Sequence, residues 1–87
     1  MATCEMPLAE ANDVQTDGRS LYELGVMYAA GRTVEVDRVT AHKWLNIAAL
    51  RGCAEAVALR AELASEMSSA EIAAAQREAR LWLSRHH

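Results

Sequence analysis

From Thr16 onward, apolar residues recur every three or four positions, the period of an α-helix with one buried face. Leu21, Leu24, Gly25 and Tyr28 fall on one side of a helix predicted from about Asp17 to Ala30. Thr16 or Asp17 supplies its N-cap, and Gly31 the left-handed residue that stops it. A connector from Gly31 to Val36 leads to a second helix capped by Asp37, with Val36 and Ala41 in staple positions. Its inner face is Ala41, Trp44, Leu45 and Ala48, and Gly52 closes it. A third helix, about Ala54 to Glu66, turns Ala56, Leu59 (or Arg60) and Leu63 to one side, with Met67 at its end. The fourth has the clearest start: Ser68-Ser69-Ala70-Glu71 is a capping box, and Met67 and Ile72 flank it as a staple. Ile72, Ala75, Ala79, Trp82 and Leu83 form its inner face. Short connectors make consecutive helices antiparallel, so the predicted fold is all-α: two stacked antiparallel helical hairpins, a short α-α superhelix. Residues 1–15 lack a sustained period and hold the only proline. They read as a mobile acidic tail, with a short helical stretch around Leu8 to Asn12.

Composition fits this picture. Eighteen of the 87 residues are alanine, the strongest helix former, and only four are glycine. A chain of this length builds one core, so residues 16–87 form a single helical domain with a first unit at about 17–52 and a degenerate capping unit at about 53–85. The formal charge of −3 argues against nucleic acid as the main partner. No apolar run approaches the roughly 20 residues needed to span a bilayer. Cys4 and Cys53 read as free thiols of a reducing compartment, and the expected location is the cytoplasm.

A repeat runs through the helices. Ala41-His42-Lys43-Trp44-Leu45 and Ala79-Arg80-Leu81-Trp82-Leu83 share Ala-x-x-Trp-Leu at an offset of 38 residues. The same offset carries Gly18 onto Ala56, Leu21 onto Leu59, Gly25 onto Leu63 and Tyr28 onto Glu66, so the first helix of the second unit has diverged. Such a period belongs to the solenoid class. Leu24, Gly25, Tyr28, Gly31, Val34, Asp37, Ala41, Trp44, Ala48, Ala49, Gly52 and Ala56 follow one another in a register that resembles the Sel-one-like repeat family, a relative of the tetratricopeptide repeat. Thr33 departs from it, standing where the family usually has a second loop glycine. The resemblance implies a helical-hairpin module that binds other proteins, with no catalytic site and no cofactor.

The residues alone support structural roles for that motif. Gly25 in mid-helix costs about 1 kcal/mol against alanine, so a facing helix must need the missing side chain, with Ala48 or Ala49 opposite. Tyr28 and Trp44 supply bulk to a core of alanine and leucine. Trp44 and Trp82, at equivalent repeat positions, read as core rather than as a ligand cage. His42 has Arg38 at i−4 and Asn46 at i+4, neither of which activates a base, so it reads as a partly exposed surface histidine. Cys4, His42, Cys53 and His86-His87 lack metal-ligand spacing, and the dispersed glycines make no phosphate loop.

Two apolar features point to contact surfaces. Tyr22, Val26 and Ala29 make a second stripe on the first helix, which either receives a peptide or partner helix or packs against the third helix. Val39, Ile47 and Leu50 lie off the inner face of the second helix and suit burial in a homodimer. The partner is therefore expected to be another protein or peptide, or a second copy. A peripheral membrane adaptor is the rival reading, because Leu81, Trp82 and Leu83 lie beside Arg77, Arg80 and Arg85 as in an interfacial helix. An enzyme accessory subunit is a third.

Overall fold

The computed structural model describes residues 17–86, which hold four helices: α1 (Gly18–Ala30), α2 (Arg38–Leu50), α3 (Ala54–Ala64) and α4 (Ser69–Arg85). The fold is all-α, with no strand among the described residues. The expected tail at 1–15, its short helical stretch, Cys4 and His87 lie outside them.

Local chemistry sets most of the helix ends. Asp17 caps α1 by accepting the Ser20 N–H at 2.8 Å. Asp37 caps α2 by accepting the Thr40 N–H at 3.1 Å and its hydroxyl at 2.8 Å. At α4 the capping box is reciprocal: the Glu71 N–H donates to Ser68 Oγ at 3.1 Å, and the Ser68 N–H donates to Glu71 Oε1 at 2.9 Å. The exception is α3, which starts after Cys53 with no side-chain cap. It also ends two residues before the predicted Glu66, where the Ser65 hydroxyl donates to the Glu62 carbonyl at 2.6 Å. At the end of α2, Gly52 takes φ +96°, and the Cys53 and Gly52 N–H groups donate to the Ala48 and Ala49 carbonyls at 3.0 and 3.1 Å. That paired closure spares two helix-end carbonyls from being left bare.

The α1–α2 connector holds the one surprise in the backbone. Gly31 adopts φ +73° as expected, and Thr33 adopts φ +65°, a left-handed conformation that costs a β-branched residue about 1–2 kcal/mol. The loop holds Thr33 there because both ends are pinned. Arg32 donates to the Met27 carbonyl at 3.1 Å, and Asp37 donates to the Tyr28 carbonyl at 3.1 Å.

Packing centres on α2, which lies against α1, α3 and α4, while α1 touches α3 only lightly. The α1–α2 pair is antiparallel and close because two glycines face it. A Cβ on Gly18 would come within 3.0 Å of the Arg51 carbonyl and 3.4 Å of the Ala48 carbonyl. A Cβ on Gly25 would lie 2.6 Å from both Cγ and Cδ2 of Leu45 and 3.3 Å from the Ala41 carbonyl. Gly25 thus faces Leu45 and Ala41, not Ala48 or Ala49 as expected; the glycine opposite Ala48 is Gly18. The expected second hairpin is not a packed pair: α3 and α4 hardly touch each other, and each packs on α2 instead. The repeat puts Ala56 and Leu63 where the first unit has Gly18 and Gly25, and α3 and α4 are joined mainly through α2.

Leu21, Ala41, Leu45, Ile47, Ala48, Cys53, Ala56, Leu63 and Ala79 form the core, with Tyr22, Leu24, Tyr28, Ala29, Trp44, Ala49, Leu59, Met67, Trp82 and Leu83 packed around it. Neighbours on three sides of α2 change two expectations. Ile47 is fully buried, and His42 is only 3% exposed rather than a surface residue. A third correction concerns Cys53. It is fully buried at the α2–α3 turn, within reach of the start of α1, and it is disulfide-bonded rather than a free thiol. Sequence separation does not report such proximity, and the disulfide removes the free thiol expected of a reducing compartment at this position.

Candidate functional site

The motif residues are spent on the scaffold. Gly25, Ala41, Ala48 and Ala56 are buried, and Leu24, Tyr28, Trp44 and Ala49 are half-buried against the core. Gly31, Asp37 and Gly52 set helix ends. Val34 is half-buried in the connector.

Of the two apolar features expected to make contacts, one persists. Tyr22, Val26 and Ala29 are all half-buried along α1, with Tyr22 and Ala29 at the margin of the core. Because α1 meets α3 lightly, this stripe is neither sealed by α3 nor fully exposed. The Val39, Ile47 and Leu50 face does not persist. Ile47 is inside, Val39 is half-buried, and Leu50 alone stands out at 66% exposure. A helix covered on three sides has no separate outer face of that width.

Beside the C-terminal half of α4 and the middle of α2 is a shallow cleft of about 260 Å³ lined by Lys43, Glu78, Leu81, Trp82, Arg85 and His86. Trp44 and Trp82 meet edge to face there, with ring centres 5.6 Å apart and planes at 81°. Their remaining faces are occupied too. The His86 ring stacks on Trp82 at 4.1 Å, and Arg51 lies 5.4 Å from the same indole while donating to the His86 carbonyl at 2.9 Å. Lys43 Nζ sits 4.3 Å over Trp44. The tryptophans therefore join α2 to α4 instead of forming an open cage. The same packing takes Trp82 and Leu83 out of the expected lipid-facing set on α4 and leaves Leu81, which is 52% exposed. No helix among the described residues is long and apolar enough to cross a membrane.

His42 is the residue that the pattern misjudged most. Buried on α2, its Nδ1 has no hydrogen-bond partner among the described residues. Burial pushes its pKa below the ordinary 6.5, the Arg60 charge pushes the same way, and an interaction with the local backbone only partly opposes them. The helical period contained a signal for this. His42 stands one turn before Asn46, and Asn46 accepts a hydrogen bond from Arg60 of α3 at 2.6 Å. Nothing in the sequence says that a third helix covers that ridge.

Comparison with protein-family models, with curated proteins and with solved structures finds no match to this chain.

Proposed function

We propose that the chain is a Sel-one-like helical-repeat module that works by binding another protein or peptide and carries out no catalysis itself. The observation that carries this reading is the Tyr22, Val26 and Ala29 stripe. It is a run of apolar side chains left half-covered on the first helix of a scaffold whose repeat-motif residues are consumed by packing and helix ends. In a stack of helix pairs, the first helix of each pair lines the surface that receives ligands. Two features support the family reading. Thr33 takes the left-handed conformation at the position where the family usually has glycine, and the equivalent tryptophans of the two units meet on adjacent helices. The membrane-adaptor alternative is weakened because Trp82 and Leu83 are turned to the core.

A displayed-peptide selection against the folded domain tests the reading. Enriched peptides are expected to lose about tenfold or more in affinity, roughly 1.4 kcal/mol, with Val26→Glu and to bind Arg77→Glu as well as the parent. Sequences that bind Val26→Glu undiminished, or a selection that enriches nothing, would overturn it. Self-association through the same stripe is the version in which the partner is a second copy. It requires a concentration-dependent sedimentation coefficient that Val26→Glu abolishes.

A further inference from the structure

The ridge Arg38, His42 and Asn46 runs along α2 at intervals of four residues and faces α3. Its two ends are tied. Arg38 Nε lies 3.6 Å from Glu66 Oε1, just beyond the last turn of α3, and Arg60 donates to Asn46 Oδ1 at 2.6 Å. The antiparallel register set by these ties places the middle position, His42, across from the buried Leu63. Two polar clasps thus enclose an imidazole that is almost wholly removed from water and has an Nδ1 unpartnered among the described residues.

We propose that His42 is an acid-released latch on the α2–α3 seam: neutral, it lets α3 close over α2, and protonated, it parts the two helices. A buried imidazolium needs a carboxylate or other acceptors to replace its water, and among the described residues the charges packed around α2 do not supply one. From α3 the group acting on His42 is the Arg60 guanidinium, which repels a second positive charge. Glu66 is engaged with Arg38, and Glu55 and Glu62 of α3 are exposed and do not act on His42. On α1, Arg19 and Glu23 pair with each other 3.5 Å apart. On α4, Glu71 is held in its capping box, and Arg77, Glu78, Arg80 and Arg85 are exposed. On α2 itself, Lys43 is turned onto Trp44. None of these acidic groups lowers the cost of charging His42.

The direction follows from linkage. In the unfolded chain the imidazole takes up a proton near pH 6.5, whereas in the closed seam it does so only at lower pH. Above pH 6.5 the seam keeps its full stability. Between 6.5 and the folded-state value, each unit of acidification shifts the equilibrium toward opening by up to about tenfold. The seam joins the first helix pair to α3, so acid uncovers Leu63, Leu59 and the α3-facing side of α2 while the glycine-lined α1–α2 contact stays closed. This latch is independent of the partner-binding proposal, since it is read on the unliganded domain.

Amide hydrogen exchange of the full chain at pH 7.5 and 5.0, corrected for intrinsic exchange rates, tests it alongside an NMR titration of the His42 ring. The expected result is a His42 midpoint below 6.5 and α3 amides losing about tenfold of their protection on acidification, with α1 changed far less. His42→Leu should remove the selective loss in α3. A His42 midpoint at or above 6.5 overturns the proposal, as does α1 protection falling in parallel with α3, or a His42→Leu protein with the parent's pH dependence. If His42→Leu does not fold, the ring titration and the parent's exchange pattern decide between the same outcomes.

Discussion

Replacing Gly25 with alanine sets two well-known effects against each other, and the structure says which wins. Helix propensity alone favours Gly25→Ala by about 1 kcal/mol. Opposing it, the new Cβ would lie 2.6 Å from Cγ and Cδ2 of Leu45, about 1 Å inside the usual carbon–carbon separation of about 3.5–4.0 Å. Leu45 is fully buried and has no solvent to turn into, and the Ala41 carbonyl at 3.3 Å limits sideways movement of α1. Overpacking of this kind costs about 1–3 kcal/mol. With the branch carbon itself in the clash, the upper half of that range applies. The net loss is then about 1–2 kcal/mol, which lowers the Tm of a domain this size by about 5–15 °C. Thermal and urea unfolding followed by circular dichroism measure it. A double-mutant cycle with Leu45→Ala isolates the cause. Alone, Leu45→Ala should cost about 2–5 kcal/mol, but in the Gly25→Ala background it should cost at least about 1 kcal/mol less, because the truncated side chain makes room for the methyl. A Gly25→Ala protein that melts at or above the parent temperature, or a cycle that closes within about 0.5 kcal/mol, would refute the glycine-notch account of the α1–α2 contact.

Three further outcomes are expected. Thr33→Gly relieves a left-handed β-branched residue at the cost of a more flexible unfolded chain, so it should stabilise by about 0.5–1 kcal/mol; an unchanged or lowered urea midpoint contradicts the strain. Ser68→Ala removes one arm of the capping box and should cost about 1 kcal/mol, with faster amide exchange confined to the first turn of α4. Trp44→Ala removes a half-buried indole and its edge-to-face partner on α4, for a loss of about 2–4 kcal/mol; a variant melting within a degree of the parent would show that the α2–α4 contact does not depend on the ring.

Much of the scaffold could be read from the chain because it rests on short-range rules. Asp17, Asp37 and Ser68 cap helices by hydrogen bonds that span three residues, and Gly31 and Gly52 end helices because only glycine takes positive φ without penalty. The inner faces of α1, α3 and α4 follow from a period of 3.6. Even the need for glycine at position 25 is visible, since its cost in a helix has to be repaid by contact.

The misreadings share one cause. The local pattern around His42, Ile47 and Cys53 carries only their own helix or its flanks, and each residue's burial is decided by a second or third element arriving from elsewhere in the chain. Periodicity tells that α2 has one apolar face; it cannot tell that α1, α3 and α4 all lean on α2 and bury the rest. For the same reason, the partner of Gly25 is Leu45 and not an alanine one turn away, since the rotation of one helix against another is fixed by how their surfaces interlock. Thr33 shows the same division between local and tertiary causes. Its sequence disfavours the left-handed backbone, and loop ends pinned to α1 impose it. The order, ends and inner faces of the helices were thus set locally, whereas the central place of α2, and with it the burial of His42, was set by packing over distances that no local pattern encodes.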